Sequence, residues 1–320
     1  MKIKQEKQKV LVIGSGVIGA YLSKLLISKK KHVIVSTRQK AGYQKNYRFL
    51  KIHKKVQFVK LNVLKKNDIK KLLLKYQPTI IFYLAGVSSV PKSYLNPLET
   101  INSLFKGAKL FLEVIKENKI KTKFFKGNSG YIFKYSKEKI SLNSKLNKPD
   151  SPYALAQIKA FKLLKDYQKQ GVECYNGIFF NVESPLRSSN FIVKKICETV
   201  KKIKNNSKIK LKVGNINAVR DFGWITEMVK AAYLMTKLKP CSMIIGTGKS
   251  TSVKEIIKYA FKYHKINYKD HILIEKKYLR KKEQNIIVAD IKDTIKKLEK
   301  WSWKPKILGK QIVYKMLKSI

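Results

Sequence analysis

The stretch Val10-Leu11-Val12-Ile13-Gly14-Ser15-Gly16-Val17-Ile18-Gly19 decides the fold. A short aliphatic, β-branched run ends on glycine, and a helical pattern begins directly after it. GxGxxG at a strand–turn–helix junction allows a tight turn. It also lets the backbone approach a pyrophosphate, which then meets the helix N-terminus. Gly14, Gly16 and Gly19 therefore read as a dinucleotide-binding turn, the alternative being a plain glycine-rich turn.

The same rhythm continues outward. Further strand candidates lie at 32–37, 56–62, 79–85, 123–129 and 172–181, each brief and rich in β-branched or aromatic residues. Between them run helical patterns at 69–76, 97–117 and 152–170. Repeated strand–helix units require a parallel sheet covered on both faces. The expected class is α/β, a doubly wound parallel sheet of Rossmann type over 1–184. After Ser184 come a helix near 191–204, a polar loop at 205–207, short mixed elements and a closing helix near 310–319. Residues 185–320 read as a smaller C-terminal α/β substrate-binding region, with some segments returning to the first domain. It caps the crevice beyond the strand ends.

The second strand candidate closes on Ser36-Thr37-Arg38. An acid there would hold the ribose 2′-hydroxyl of NAD, whereas Arg38 suits the 2′-phosphate of NADP. The plainer reading is a solvated arginine. Tyr153 follows Ser151-Pro152 at a helix start, 24 residues after Ser129. A serine hydroxyl and a phenol converging on a nicotinamide would form a proton-transfer site for alcohol–ketone chemistry. By spacing alone, Tyr153 reads rather as a core aromatic.

Composition bounds the rest. The chain has 320 residues, with 71 Lys or Arg against 20 Asp or Glu, a formal net charge of +51 and 44% hydrophobic residues. That apolar share excludes a disordered basic tail. Of the basic residues 66 are Lys and 5 are Arg, and Ile outnumbers Ala 36 to 12, which fits an AT-rich coding bias. The bias would raise Glu as well, so it leaves the scarcity of acids unexplained. Dispersed lysine reads first as a solvated surface, and no specific nucleic-acid signature stands out. No run of 18 apolar residues suggests a membrane span. The Lys-rich N-terminus has no small-residue cleavage site of the signal-peptide kind. Cys174, Cys197 and Cys241 are scattered and odd in number, which suggests a reduced, cytoplasmic protein. The four histidines form no ligand-spaced cluster, so no metal site is expected.

Several motifs together resemble the extended short-chain dehydrogenase/reductase (epimerase/dehydratase) family, and within it the GDP-mannose 4,6-dehydratase branch. They are Phe82-Tyr83-Leu84-Ala85-Gly86-Val87-Ser88-Ser89-Val90, Ser151-Pro152-Tyr153-Ala154-Leu155-Ala156, Asn181-Val182-Glu183-Ser184-Pro185 running on to Arg187, Val219-Arg220-Asp221-Phe222-Gly223, and Trp303-Lys304-Pro305. The resemblance implies a hydro-lyase working on a nucleotide-sugar, with GDP-mannose favoured, NADP as cofactor and a homodimer or homotetramer. It carries Asn62, Val63, Ala85 and Arg187 to the cofactor, Arg187 in a loop that reaches a neighbouring subunit. Asn62-Val63 stands where the family usually has Asp-Leu. It carries Ser88, Asn181, Lys195, Arg220, Arg280 and Glu283 to the nucleotide-sugar. Four of the five arginines, Arg38, Arg187, Arg220 and Arg280, thus fall on anion positions, leaving only Arg48.

Two family groups are missing. The Lys four residues after the tyrosine, which lowers its pKa, is Gln157. The Glu that removes the C5 proton is Tyr131, in Ser129-Gly130-Tyr131. A neutral amide supplies no charge to a phenolate, and a phenol is a poor carbon-acid base near pH 7. Lys159 does not obviously substitute, since a six-residue offset rotates it about 240° around the helix. Three readings follow: a dehydratase with rearranged groups, a nucleotide-sugar reductase or epimerase, or a catalytically impaired homologue that binds both ligands.

Overall fold

The computed structural model describes residues 7–38, 44–135, 137–278 and 285–320. Its first strands are β1 (Lys9–Ile13), β2 (His32–Thr37), β3 (Gln57–Lys60), β4 (Ile80–Tyr83), β5 (Lys123–Ser129) and β6 (Cys174–Phe179). Val10 to Ile13 and all of β4 are buried, as aliphatic runs covered on both faces must be. A seven-stranded sheet runs Ser242–Ile245, β6, β5, β4, β1, β2, β3. The pairs β1–β2, β2–β3, β1–β4 and β4–β5 are parallel. The chain winds out from β1 to β3, returns to β4 and then winds the other way. The reversal falls between β1 and β4, the crevice position where open α/β sheets bind ligands.

Helices Lys66–Tyr76, Gly107–Glu117 and Pro152–Lys169 accompany this sheet. Their apolar stripes meet β1, β4 and β5 in one cluster that includes Leu11, Ile13, Ile69, Leu73, Tyr83, Phe111, Phe124 and Leu164. Two expected elements differ in detail. The pattern at 97–117 contains a π-helical turn over Asn102–Lys106. There the Tyr83 hydroxyl donates to the Ser103 carbonyl at 2.7 Å, and a Cβ on Gly107 would stand 2.2 Å from that hydroxyl. The buried phenol thus finds its acceptor in a locally widened turn. The apolar run 172–181 divides at Phe180, and β7 (Asn181–Glu183) pairs in parallel with strand Val219–Trp224.

The chain divides into two units. The first comprises Met1–Lys134, Lys145–Ile178 and Val229–Met243; the second comprises Tyr135–Ser144, Phe179–Met228 and Ile244–Ile320. In the second, helices Ile192–Asn205, Val253–Tyr263 and Gly309–Ser319 share a core built around Ile196, Val200, Phe222, Ile257, Phe261 and Met316. Among the described residues no helix is long and apolar enough to cross a membrane.

Candidate functional site

In the first unit, Gly14 has φ +104°, and a Cβ there would stand 2.8 Å from the Ala85 nitrogen. β1 and the end of β4 meet only because that position is glycine. A Cβ on Gly19 would lie 2.3 Å from the Gly14 carbonyl oxygen, so the helix Val17–Ser28 packs onto its own turn. Gly16 is different. It is the helix N-cap, its φ of −68° suits any residue, and no atom lies within 4 Å of its ideal Cβ. Two glycines are required by the fold, and the third opens space before a helix N-terminus. That opening and its unpaired amides fit a dinucleotide pyrophosphate.

Arg38 Nη1 donates to Glu99 Oε1 at 2.6 Å, with 74% of the arginine side chain and 44% of the glutamate side chain exposed. An exposed pair of this kind contributes only ~0–1 kcal/mol, so an arriving phosphate competes easily for the guanidinium. The Asn62 side chain is committed to a local turn, its Oδ1 accepting the Leu64 N–H at 3.0 Å. Val63 packs into the sheet core, while Ser88 is exposed in the loop after β4.

Ser129 ends β5 and Tyr153 opens helix Pro152–Lys169. Ser151 caps that helix by accepting the Ala154 N–H at 3.1 Å, and Pro152 occupies its first turn. Tyr153 is 9% exposed and packs with Leu104 and Ala156, with Phe105 and Tyr131 against them. The Tyr131 ring stands edge-on to Tyr153, centroids 6.2 Å apart. Ser129 Oγ accepts the Tyr131 N–H at 3.3 Å. Ser129, Tyr131 and Tyr153 are therefore neighbours. Gln157, one turn along the helix, is buried, and its Oε1 has no hydrogen-bond partner among the described residues. Lys159 is exposed on another side, 5.8 Å from the Phe105 ring centroid.

Sequence reading missed Lys126. Three residues before Ser129, it is fully buried in β5, its Nζ donating to the Gly127 carbonyl at 2.6 Å and standing 5.8 Å from the Tyr83 ring centroid. Burial pulls its pKa down to about 7. Strand alternation puts Asn128 on the same face. Asn128 Nδ2 donates to Asn176 Oδ1 at 2.5 Å, and Asn176 Nδ2 donates to the Phe161 carbonyl at 3.3 Å. A polar layer thus runs beneath the helix that carries Tyr153 and Gln157. No local pattern announces it, because Lys126 looks like one lysine among many.

The second unit holds Asn181, Arg187, Lys195 and Arg220. Asn181 Nδ2 donates to the Asp221 carbonyl at 3.1 Å. Arg220 is 8% exposed, and its Nη1 donates to the carbonyls of Val219 and Asn285 at 2.9 and 3.3 Å. Asp221, also missed from sequence, is fully buried and accepts from the amides of Thr247, Gly248 and Ala289 and from the Thr247 hydroxyl. Burial raises its pKa and these bonds oppose the rise. The Arg187 guanidinium lies 3.3 Å from the Phe191 ring centroid, with Nε 3.9 Å from Glu183 Oε2. Burial pushes the Glu183 carboxyl up to about 7, with Arg187 opposing. Lys195 Nζ is 3.6 Å from the Tyr278 ring centroid. Arg280 and Glu283 lie outside the described residues. Among the described residues no three His, Cys, Asp or Glu side chains could hold a metal ion.

An open sheet with its topological switch between β1 and β4, a glycine turn at that switch, and a serine–tyrosine pair at the ends of β5 and the following helix define a short-chain dehydrogenase/reductase fold. Solved structures agree on that fold. The Thermotoga maritima UDP-glucose 4-epimerase with UDP-glucose superimposes with TM-score 0.84 at 20% identity, over 97% of this chain and 98% of that one. The Bacillus anthracis dTDP-glucose 4,6-dehydratase with NAD gives 0.82 at 15% identity, over 98% and 96%. The family model for GDP-mannose 4,6 dehydratase matches residues 11–316. GDP-mannose 4,6 dehydratase 1 of Arabidopsis thaliana is 30% identical over 96% of this chain and 88% of its own length. The corresponding Drosophila melanogaster protein is 26% identical over 95% and 84%. The chain belongs to the GDP-mannose 4,6-dehydratase family of hydro-lyases.

Proposed function

We propose that the protein is an NADP-dependent nucleotide-sugar dehydratase acting on GDP-mannose. The observation that carries this reading is the meeting of Ser129, Tyr131 and Tyr153 at the end of β5 in a chain of this family. NADP⁺, when bound, supplies reversible hydride acceptance. Gly16 leaves room for its pyrophosphate, and Arg38 exchanges Glu99 for its 2′-phosphate. Tyr153 takes the proton of the sugar C4 hydroxyl, Ser129 hydrogen-bonds the same oxygen, and Gln157 bonds ribose hydroxyls through its free amide oxygen and NH₂. Tyr131 stands where the family has its C5 base. Asn181, Lys195, Arg220, Arg280 and Glu283 hold the nucleotide diphosphate and its base, and Ser88 meets the sugar. The second unit would serve chiefly the nucleotide-sugar. The thiols of Cys174, Cys197 and Cys241, none of them in a disulfide, support a cytoplasmic setting.

A second reading is favoured by one observation: Gln157 brings no cation to Tyr153, and its Oε1 stays unbonded. A protein that binds both ligands without turnover needs neither the lysine nor the C5 base, whereas reversible C4 redox chemistry dispenses with the C5 base alone. Incubation with NADP⁺ and GDP-mannose followed by mass spectrometry separates the readings. Loss of one water from the sugar nucleotide is the expected result. Tight binding of both ligands with the sugar nucleotide unchanged in mass and in chromatographic retention sinks the dehydratase. A product of unchanged mass but shifted retention, or one lighter by two hydrogens as NADPH forms, selects the alternative enzyme.

A further inference from the structure

The three-helix layer of the second unit carries a surface that the proposed reaction does not use. The exposed positions of helix Val253–Tyr263 are Lys254, Lys258 and Lys262, without exception. Across this helix, Ile192–Asn205 and Gly309–Ser319, no exposed position carries a carboxylate. Their two acids are only partly exposed and engaged elsewhere. Glu255 closes a capping box with Ser252, and Glu198 pairs with Lys194 at 3.2 Å. The first unit contrasts with this. There Lys66 meets Glu117 at 2.6 Å and Lys109 meets Glu113 at 3.4 Å.

At the C-terminal end of helix Val253–Tyr263 the surface deepens into an open groove of roughly 620 Å³, lined by Lys258, Lys262, Lys265, Ile266, Asn267 and Tyr268 above Phe261. None of its three lysines makes an ion pair among the described residues. Lys204 and Lys201 approach the next residue, His264, closely enough to add to the burial that holds its pKa below the ordinary value. Lys258, Lys262 and Lys265 therefore converge on one groove, and the acids beside it are engaged elsewhere, Glu255 in its capping box and Asp270 accepting from Asn267 Nδ2 at 3.1 Å.

The occupant must be anionic, and the surface chemistry narrows its class. Stable protein interfaces are centred on apolar anchors, and membrane-surface helices bury an apolar face. None of the large exposed hydrophobic residues lies on these three helices. A chain of phosphates asks for cations and a few aromatic contacts, and Tyr268, edge-on to Phe261, lines the groove beside the lysines. Lysine lacks the bidentate fork that reads bases, so the contact is blind to sequence.

We infer that the groove formed by Lys258, Lys262 and Lys265 is a docking surface for the phosphate backbone of single-stranded nucleic acid. Its residues belong to the second unit, whereas the glycine turn and the Ser129–Tyr153 pair belong to the first. The test is fluorescence anisotropy of a labelled oligonucleotide of mixed sequence against the full chain over a salt series. The triple variant Lys258→Gln, Lys262→Gln and Lys265→Gln is compared with Lys70→Gln, Lys71→Gln and Lys75→Gln, an equal charge change on exposed positions of the first unit. NADP⁺ affinity and thermal melting serve as fold controls for both.

Removing three phosphate contacts lowers the slope of log K against log salt by about 2. Affinity at low salt is expected to fall at least tenfold in the groove variant and less than threefold in the control. Equal losses in the two triples overturn the inference, since bulk charge then suffices. So does binding to vesicles of anionic phospholipid that is tighter than oligonucleotide binding and depends on the same lysines.

Discussion

Tyr153 needs a nearby cation to ionise close to neutral pH, and Gln157 cannot supply one. If the pocket otherwise keeps the geometry of its family, Gln157→Lys combined with Tyr131→Glu raises dehydration of GDP-mannose at least tenfold, read by mass spectrometry. No gain in that double variant would mean that the pocket has diverged beyond these two positions. Lys126 makes a second residue-scale prediction, this time about stability. Its pKa falls from 10.5 to about 7 on folding. Between those values the unfolded chain holds a proton that the folded chain lacks, so the residue's contribution to stability rises with pH across that window. It is least favourable below about 7, where folding buries a full charge. Lys126→Met therefore raises the melting temperature most at about pH 6, and the gain shrinks toward about pH 10. A gain independent of pH would remove the titration from the explanation.

At the scale of the element, the turn from β1 into helix Val17–Ser28 performs two tasks with three glycines. Gly14→Ala forces a Cβ against the Ala85 backbone in a left-handed conformation, and the fold should lose about 2 kcal/mol or more in a denaturant titration. Gly16→Ala meets no atom and changes stability by less than about 1 kcal/mol. Its methyl instead occupies the space before the helix N-terminus, so NADP⁺ affinity should drop tenfold or more by calorimetry. Equal effects of the two changes on stability would mean that Gly16 serves the fold as Gly14 does. The helix Pro152–Lys169 shows the same economy. One cap at Ser151 sets both where the helix starts and where the Tyr153 phenol stands.

At the scale of the whole molecule, a formal charge of +51 on 320 residues makes self-repulsion a general cost of the folded state. Added salt shortens the Debye length to about 10 Å at 0.1 M. The melting temperature should therefore climb by several degrees as sodium chloride is raised from low concentration to about 0.2 M. A flat or falling response would show that the lysines are already compensated locally. The few acids are spent selectively: Asp221 and Glu183 are buried, while Glu99, Glu113 and Glu117 pair with basic residues at the surface.

The alternation of short aliphatic runs with amphipathic stretches determined the parallel sheet, because period and length are local properties of the chain. The GxGxxG turn was legible for the same reason, since its glycines and their spacing lie in one short stretch. Tertiary structure decided what depends on residues distant in sequence. Gly14 is closed by Ala85 and Gly16 by nothing, although the motif treats them alike. Lys126 is fully buried beside the Tyr83 ring and the Gly127 carbonyl, while Lys159 is exposed, and no local pattern ranks one lysine above another. The lysine-rich face arises because three separate helices pack their apolar stripes together and turn their polar and charged positions outward. Composition counts charge but cannot say where folding collects it.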